Sequence, residues 1–304
     1  MKILVTGSKG QVGWELRNKG VDQGLTITGV DIEEIDIADK RAVEELVGDV
    51  AADLVVNAAA YTAVDAAEEN AELAFQVNRD GPANLATACR QGKTPLVHIS
   101  TDYVYGGDQE GAYGEDDPMA PLGVYAQSKA DGDQAVATLL AEHVILRTAW
   151  VYGVHGHNFV KTMLRLGQER EQLSVVDDQT GCPTDAADLA DAILAIAHQI
   201  RQRENMQWGV YHFCGRGQTT WYGFATEIFR LASQYETFKV KSVEPVPTSA
   251  YPTPAKRPAN SVLDCSKIKR SFNIVPRTWE ESLADMLERY YHNPKRSIKE
   301  ERRS

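Results

Sequence analysis

The glycines Gly7, Gly10 and Gly13, in the frame GSKGQVG, follow directly on the apolar run KILVT at residues 2–6 and open an amphipathic stretch from Gln11. No other feature of the chain restricts its fold as tightly. A strand must end there, turn within a few residues and start a helix. Glycine lets the backbone turn that sharply and come close to a bound group. The helix N-terminus then offers unpaired N–H groups and the positive end of its dipole, a setting that suits a pyrophosphate. The formal net charge of −11 sharpens the point, because an anionic ligand must be held by local donors, and backbone N–H groups supply them without Lys or Arg. The plainer alternative is a glycine-rich turn with no ligand. It does not account for the triplet standing at the first strand-to-helix turn of a βαβ unit.

The first half of the chain keeps the rhythm that this turn sets. Strands are predicted over 2–6, 25–30, 53–57, 95–100 and 144–149. Helices are predicted over 11–19, 40–47, a long region 65–91, and 122–142. Continuous apolar strands between helices mean a parallel sheet covered on both faces, the doubly wound α/β pattern. After Trp150 the rhythm loosens. Helices fit 158–170, 185–200, 221–234 and 278–291, a strand fits 210–214, and a proline-rich run, VPTSAYPTPAKRP, covers 246–258. Such irregular chain in a compact protein wraps a site or another domain. The expected division is a dinucleotide-binding domain over 1–150, to which a helix and strand at about 185–214 return, and a smaller interwoven substrate domain over most of 151–304. The length of 304 residues suits this.

Tyr125 and Lys129 stand four apart in GVYAQSKAD, but Tyr235/Lys239 and Tyr291/Lys295 share that spacing, so context must choose. Only the first pair follows a buried-type strand, PLVHIS, that ends in Ser100, Thr101 and Asp102. Ligands of open parallel sheets bind beyond the carboxyl ends of the strands. On a helix, Tyr125 and Lys129 share one face. A phenol is a poor acid at neutral pH, and a nearby ammonium favours the phenolate and is expected to pull its pKa toward neutrality. Thr101 can hydrogen-bond the same carbonyl oxygen. Together the three would protonate a ketone oxygen as hydride reaches carbon. The bland alternative is a Tyr–Lys pair on a helix surface. Asp31 ends the second strand, where a carboxylate can accept from both ribose hydroxyls of NADH; otherwise it starts a turn. Lys9 could instead pair with the 2′-phosphate of NADPH, or be a solvated lysine. Use of NADPH or NADH, both, is the expectation.

With those residues in place, the chain resembles the extended short-chain dehydrogenase/reductase family. GSKGQVG, NAAAYTAVDAAE (57–68), NRDGPANLA (78–86), HISTDYVYGG (98–107) and YAQSK match its motifs in order over nearly the whole length. A narrower set, GQVGWEL (10–16), STDYVYGG, RTAWVYG (147–153), NFVKTMLRL (158–166), DDQTGCPT (177–184) and PTSAYPTPAKRPANS (247–261), resembles the dTDP-4-dehydrorhamnose reductase subfamily. The resemblance implies reduction of the C4 ketone of a dTDP-linked 6-deoxy hexulose to dTDP-L-rhamnose. It places NAD(P)H contacts on Gly10, Gln11, Val12, Asp31, Asp36, Ile37, Ala60, Tyr61, Thr62 and Ile99. It gives Tyr125 and Lys129 to catalysis and the nicotinamide ribose, and Thr101, Asp102 and Trp150 to the sugar nucleotide. The 4,6-dehydratases of the superfamily carry Thr-Asp-Glu at the strand end and use the extra carboxylate to eliminate water. Here the third residue is Tyr103, which argues for simple carbonyl reduction. Some members are metal-bridged dimers through acidic residues; Glu15 matches, but position 187 is Ala, so no metal is assigned. A homodimer is compatible with the resemblance.

Other classes find little support. The acidic balance argues against nucleic acid and anionic membrane surfaces. No apolar run approaches transmembrane length, and MKILVTG leaves no room for a signal peptide, so a cytoplasmic location is expected. Cys89, Cys182, Cys214 and Cys265 are scattered without CxxC or metal-type spacing and read as reduced thiols. His98 reads as a satisfied core histidine, Arg257 as surface-exposed rather than bound to a diphosphate, and Trp150 as either a pocket wall or core. His155 and His157 have no carboxylate or cysteine pattern near them that would suggest a metal. The tail from Lys295 reads as a solvated end. Two alternatives stay open: a reductase or epimerase on another nucleotide sugar, and a dinucleotide-binding regulatory subunit without turnover, as in methionine adenosyltransferase.

Overall fold

The computed structural model describes residues 1–202 and 206–292; the tail from Lys295, and with it the lysine of the pair Tyr291/Lys295, lies outside them. Strand β1 (Lys2–Thr6) runs into helix α1 (Gln11–Asp22), and β2 (Thr26–Val30) into α2 (Lys40–Val50). After β3 (Leu54–Asn57) come α3 (Val64–Ala67), α4 (Ala71–Phe75), a π-helical turn Gln76–Asp80 and α5 (Gly81–Gly92). Strand β4 (Leu96–Thr101) passes through a 3-10 turn, Asp102–Val104, before α6 (Val124–Leu139) and β5 (His143–Thr148). The remainder comprises β6 (Val151–Tyr152), α7 (Phe159–Glu169), β7 (Gln172–Val176), β8 (Thr180–Gly181), β9 (Thr184–Asp185), α8 (Ala186–Gln202), β10 (Gly209–His212), β11 (Thr219–Thr220), α9 (Trp221–Ala232), β12 (Ser242–Val246), α10 (Ser266–Phe272) and α11 (Trp279–Tyr291).

The central sheet is six-stranded and parallel, in the order β2-β1-β3-β4-β5-β10. Alternation along each strand explains why it is buried on both faces. Ile3 and Val5 of β1 pack with Leu54, Val56, Val144 and the apolar faces of α1 and α8. Leu4, between them, points the other way and packs with Val55, Leu96, Ile145, Val43 of α2, Leu85 of α5 and Val136 of α6. The chain leaves β1 outward to β2 and returns on the other side to β3. That reversal opens a crevice at the carboxyl ends of β1 and β3. A separate core, built on Val160, Leu164, Phe224, Ile228, Leu283 and Met286, joins α7, α9 and α11.

The long helical region expected over 65–91 is broken. Its π-helical turn widens the helix by one residue per turn, a change that an apolar period cannot reveal. The turn is packed tightly against α6: a Cβ on Gly132 would stand 2.1 Å from the Asn78 carbonyl oxygen. The loosened C-terminal half also forms more strand than expected. β7 and β12 pair in parallel, β6 pairs with β9 and β8 with β11.

Candidate active site

Everything predicted to bind sits on the carboxyl side of the sheet, and the structure draws most of it together. Gly7 takes φ +69, and a Cβ there would lie 2.5 Å from the Ala59 nitrogen, so the ends of β1 and β3 approach as only glycine permits. A Cβ on Gly13 would lie 2.2 Å from the Gly7 oxygen. Gly10 caps α1 without a side-chain hydrogen bond, and the first turn carries no acidic residue. Its N–H groups thus face the crevice with nothing of like charge to an incoming anion competing for them. These residues fit a dinucleotide pyrophosphate. Val12 and Ile37 turn their side chains into the core, and the Ile37 carbonyl accepts from Asn84 Nδ2 at 3.1 Å. Gln11 accepts at Oε1 from Asn158 Nδ2, 2.9 Å away, tying the glycine loop to α7.

Asp31 follows β2 directly, with Oδ2 accepting from the Lys9 N–H at 2.7 Å and Oδ1 from the Ile32 N–H at 2.9 Å. The Lys9 ammonium is held by Glu33 at 3.0 Å and Glu34 at 3.1 Å, neighbours that composition gave no reason to expect. Asp36 is exposed and accepts from the Ala38 N–H at 2.9 Å. Ala60, Tyr61 and Thr62 lie on the loop after β3, Thr62 exposed. Asn78 grips Tyr61 from both sides, its Oδ1 accepting from the Tyr61 N–H at 2.8 Å and its Nδ2 donating to the Tyr61 carbonyl at 3.0 Å. Asn78 Nδ2 also reaches Ser128 Oγ at 3.1 Å, and Ser128 donates to the Tyr125 carbonyl at 2.8 Å. Asn78 thereby links the loop after β3 to α6. Sequence reasoning passed over it, although it opens the quoted motif NRDGPANLA.

Thr101, Asp102 and Tyr125 meet. The Thr101 hydroxyl donates to Asp102 Oδ1 at 3.0 Å and stands near the Tyr125 phenol, whose ionised form it favours. Burial pushes the Asp102 carboxyl up to about 6. Burial likewise pushes Tyr125 up to about 12, with Thr101 acting the other way. The expectation that Lys129 draws this phenol toward neutrality is not met. Lys129 donates instead to the Ile99 carbonyl at 2.8 Å, and desolvation of the phenol dominates. Lys129 is 2% exposed. Burial draws its pKa down to about 8 against the pull of Asp133. Tyr103 stands edge-on to Tyr125, ring centroids 5.8 Å apart.

Trp150 belongs to a different wall. Its backbone is left-handed, φ +47, an uncommon conformation for a bulky residue. Its indole stacks on Trp221 with centroids 3.5 Å apart and covers Gly181, where a Cβ would lie 2.5 Å from Cε2. Trp221, in turn against Phe159, is an aromatic the sequence gave no reason to single out. Arg257 corrects an expectation. Rather than being surface-exposed, it is partly buried and holds Asp65 of α3 with bonds of 3.1 and 2.8 Å, because the proline-rich run folds back over α3. The guanidinium keeps the Asp65 carboxyl below its usual range. His98 corrects another. Its Nδ1 meets Asn57 Nδ2 at 3.0 Å, but Nε2 has no hydrogen bond and stands 3.8 Å from Asp133.

A bridging metal does not fit the acidic residue at position 15. Glu15 is occupied by Arg289 at 2.9 Å, and the same guanidinium holds Asp185 at 2.6 Å, while Ala187 is buried and offers no donor. Among the described residues no group of three His, Cys, Asp or Glu side chains could hold a metal ion, and no helix is long and apolar enough to cross a membrane.

A family model described as the RmlD substrate binding domain matches residues 1–292. The chain belongs to this family. The dTDP-4-dehydrorhamnose reductase of Aggregatibacter actinomycetemcomitans is 42% identical over 287 residues, 94% of this chain and 98% of that protein. Among solved structures, a dTDP-4-dehydrorhamnose reductase from Clostridium acetobutylicum superposes with a TM-score of 0.89 at 38% identity, over 95% of this chain and 99% of that one. The dTDP-4-dehydrorhamnose reductase of Bacillus anthracis, solved in complex with NADP, gives 0.88 at 36% identity, over 94% and 98%. Membership in the RmlD family accounts for the Rossmann-type parallel sheet and for its order.

Proposed function

We infer that this chain reduces the C4 ketone of dTDP-4-dehydro-6-deoxy-L-mannose (dTDP-4-dehydro-β-L-rhamnose) to dTDP-L-rhamnose, using NADPH or NADH. The observation that carries the reading is the Thr101–Tyr125 hydroxyl pair at the end of β4, beside a buried Lys129, in a chain this similar to named reductases. Reduced nicotinamide supplies the hydride when bound. The phenol of Tyr125, protonated across the working range, is the proton donor to the developing alkoxide, and Thr101, once its hydroxyl turns from Asp102 Oδ1, donates a second hydrogen bond to the same oxygen. Lys129 supplies positive charge beside the nicotinamide ribose. Gly7, Gly10, Gln11, Val12 and Gly13 cradle the pyrophosphate, and Asp31, Asp36, Ile37, Ala60, Tyr61, Thr62 and Ile99 line the rest of the cofactor. Asp102 and Trp150, with Thr101, meet the sugar nucleotide. Residues 1–150 with the return at about 185–214 form the dinucleotide half, and most of the other described residues after 150 the substrate half. The acidic surface suits a small-molecule partner rather than nucleic acid.

The direct test is loss of reduced-nicotinamide absorbance when the protein is mixed with NADPH or NADH and enzymatically generated dTDP-6-deoxy-L-lyxo-4-hexulose. Loss with dTDP-rhamnose as product supports the reading. Tight cofactor binding without loss would move the function to another nucleotide sugar or to binding alone.

The rate should depend on pH through Lys129 rather than Tyr125. Raising the pH through about 8 removes the Lys129 charge, whereas Tyr125 keeps its proton to about 12. The turnover rate is therefore expected to be level between the Asp102 titration at about 6 and that point, and to fall above it. A rate that stays level far into the alkaline range would remove Lys129 from the mechanism. A second expectation concerns the cofactor. A 2′-phosphate near Lys9 must share the ammonium with Glu33 and Glu34. Lys9→Ala leaves those carboxylates unopposed and should weaken NADPH roughly 2–5-fold more than NADH. Equal losses in a binding titration would place Lys9 elsewhere.

A further inference from the structure

Three cysteines scattered through the sequence converge in space. Cys182 lies between β8 and β9, Cys214 just past the end of β10, and Cys265 immediately before α10. Cys214 Sγ stands 3.6 Å from Cys265 Sγ. It also packs in one buried cluster with Cys182 and lies 3.8 Å from the Leu263 carbonyl. Cys182 and Cys214 are each 2% exposed, whereas Cys265 is partly exposed. All three border an open cavity of about 390 Å³ that reaches solvent past Arg216, Asp264 and Lys269. Cys89 lies apart from them, buried between the sheet and α5. The carbonyl-reduction chemistry uses none of these thiols.

We propose that Cys214 and Cys265 form a dithiol site that a hydroperoxide oxidises to a disulfide. The accessible Cys265 thiol first releases its proton to solvent, and its sulfur attacks the outer peroxide oxygen. The O–O bond breaks, the departing alkoxide takes a proton back from solvent and leaves as an alcohol (water, for hydrogen peroxide), and Cys265 becomes a sulfenic acid. The Cys214 thiol then attacks that sulfur, the S–O bond breaks, and the hydroxyl leaves as water with the Cys214 proton. Two thiols and one hydroperoxide give one disulfide, one alcohol and one water; both sulfurs are oxidised and the peroxide is reduced. The sulfurs must close from 3.6 Å to about 2 Å. Cys214 is fixed by the adjoining sheet strand, so the segment before α10 makes the movement. That segment carries Ser261, which is buried and donates to the Thr180 carbonyl at 3.5 Å. Cys182, only 2% exposed, is placed less well than the partly exposed Cys265 to meet the peroxide first.

Treatment of the full-length protein with hydrogen peroxide, followed by alkylation and peptide mapping without reductant, tests this. The expected product joins the Cys214 and Cys265 peptides. In denatured protein the titratable thiols should fall from four to two, and dithiothreitol should restore them. Cys265→Ser should lose no thiol on the same treatment. If that variant fails to fold, the wild-type map still decides. A Cys182–Cys214 bridge in the wild type, a sulfinic acid on Cys265 without a bridge, or retention of all thiols while a free-thiol control is oxidised would each overturn the proposal.

Discussion

Tyr125→Phe should cut turnover by about 10²–10⁴-fold while leaving cofactor affinity nearly unchanged. The substitution removes one oxygen and keeps the ring that packs edge-on against Tyr103, so the cleft keeps its shape. Thr101 would remain as a hydrogen-bond donor, which leaves a residual rate rather than none. The loss should fall on kcat more than on KM, because the phenol matters most as charge develops on the substrate oxygen. Steady-state kinetics with the keto sugar, paired with a cofactor titration, separate the two. Substantial turnover in the variant would remove Tyr125 as the proton donor.

The second large effect is on stability. Asp133 lies one turn beyond Lys129 on α6, 2% exposed, with Oδ2 paired to Arg147 Nε at 3.0 Å. Arg147, 4% exposed, continues to the Tyr105 hydroxyl at 2.7 Å, and Tyr105 meets His212 at 2.8 Å. On its other side Asp133 faces His98. Asn57 Oδ1 accepts from Thr6 at 2.7 Å and from the Ala59 N–H at 3.1 Å, so its amide nitrogen faces His98 Nδ1. The histidine proton is thereby assigned to Nε2, toward Asp133. Asp133→Asn would leave a buried guanidinium without its anion, at a cost of about 3–5 kcal/mol. Replacing both partners, Asp133→Leu with Arg147→Met, should recover much of that, since no unpaired charge remains. Urea unfolding of the single and double variants measures both terms, and a single variant as stable as the parent would show the pair to be unimportant. Asp133 also sustains the Lys129 charge, so any folded Asp133→Asn protein should lose activity at lower pH than the parent.

The parts of this molecule that the sequence exposed are those whose causes are local. The β1 turn was legible because three glycines answer one steric demand, and the strands because β-branched runs between helices admit one kind of sheet. The meeting of Thr101, Asp102 and Tyr125 was legible once Thr101 was seen to end a strand. What was missed depends on partners far along the chain. β7 and β12 pair across about 70 residues, with Pro245 inside the second strand, and nothing near either announces the other. Asn78 gains its place from a π-helical turn that apolar spacing does not encode. The conflict at Lys9 could not be settled from the sequence because Glu33 and Glu34 reach it only when the loop after β2 folds back. The reading of Lys129 as acting directly on Tyr125 failed for a related reason: four-residue spacing puts two side chains on one face but does not say which acceptor the longer one will choose.

The bond between Arg289 and Glu15 spans 274 residues. A ribosome adding about 5–20 residues per second releases the first βα unit long before it makes its cation, an interval of roughly 14–55 s. Until α11 emerges, the carboxylates of Glu15 and Asp185 can sit only in a part-formed, hydrated interface. The nascent chain is therefore held back from its last packing step until its final helix is available.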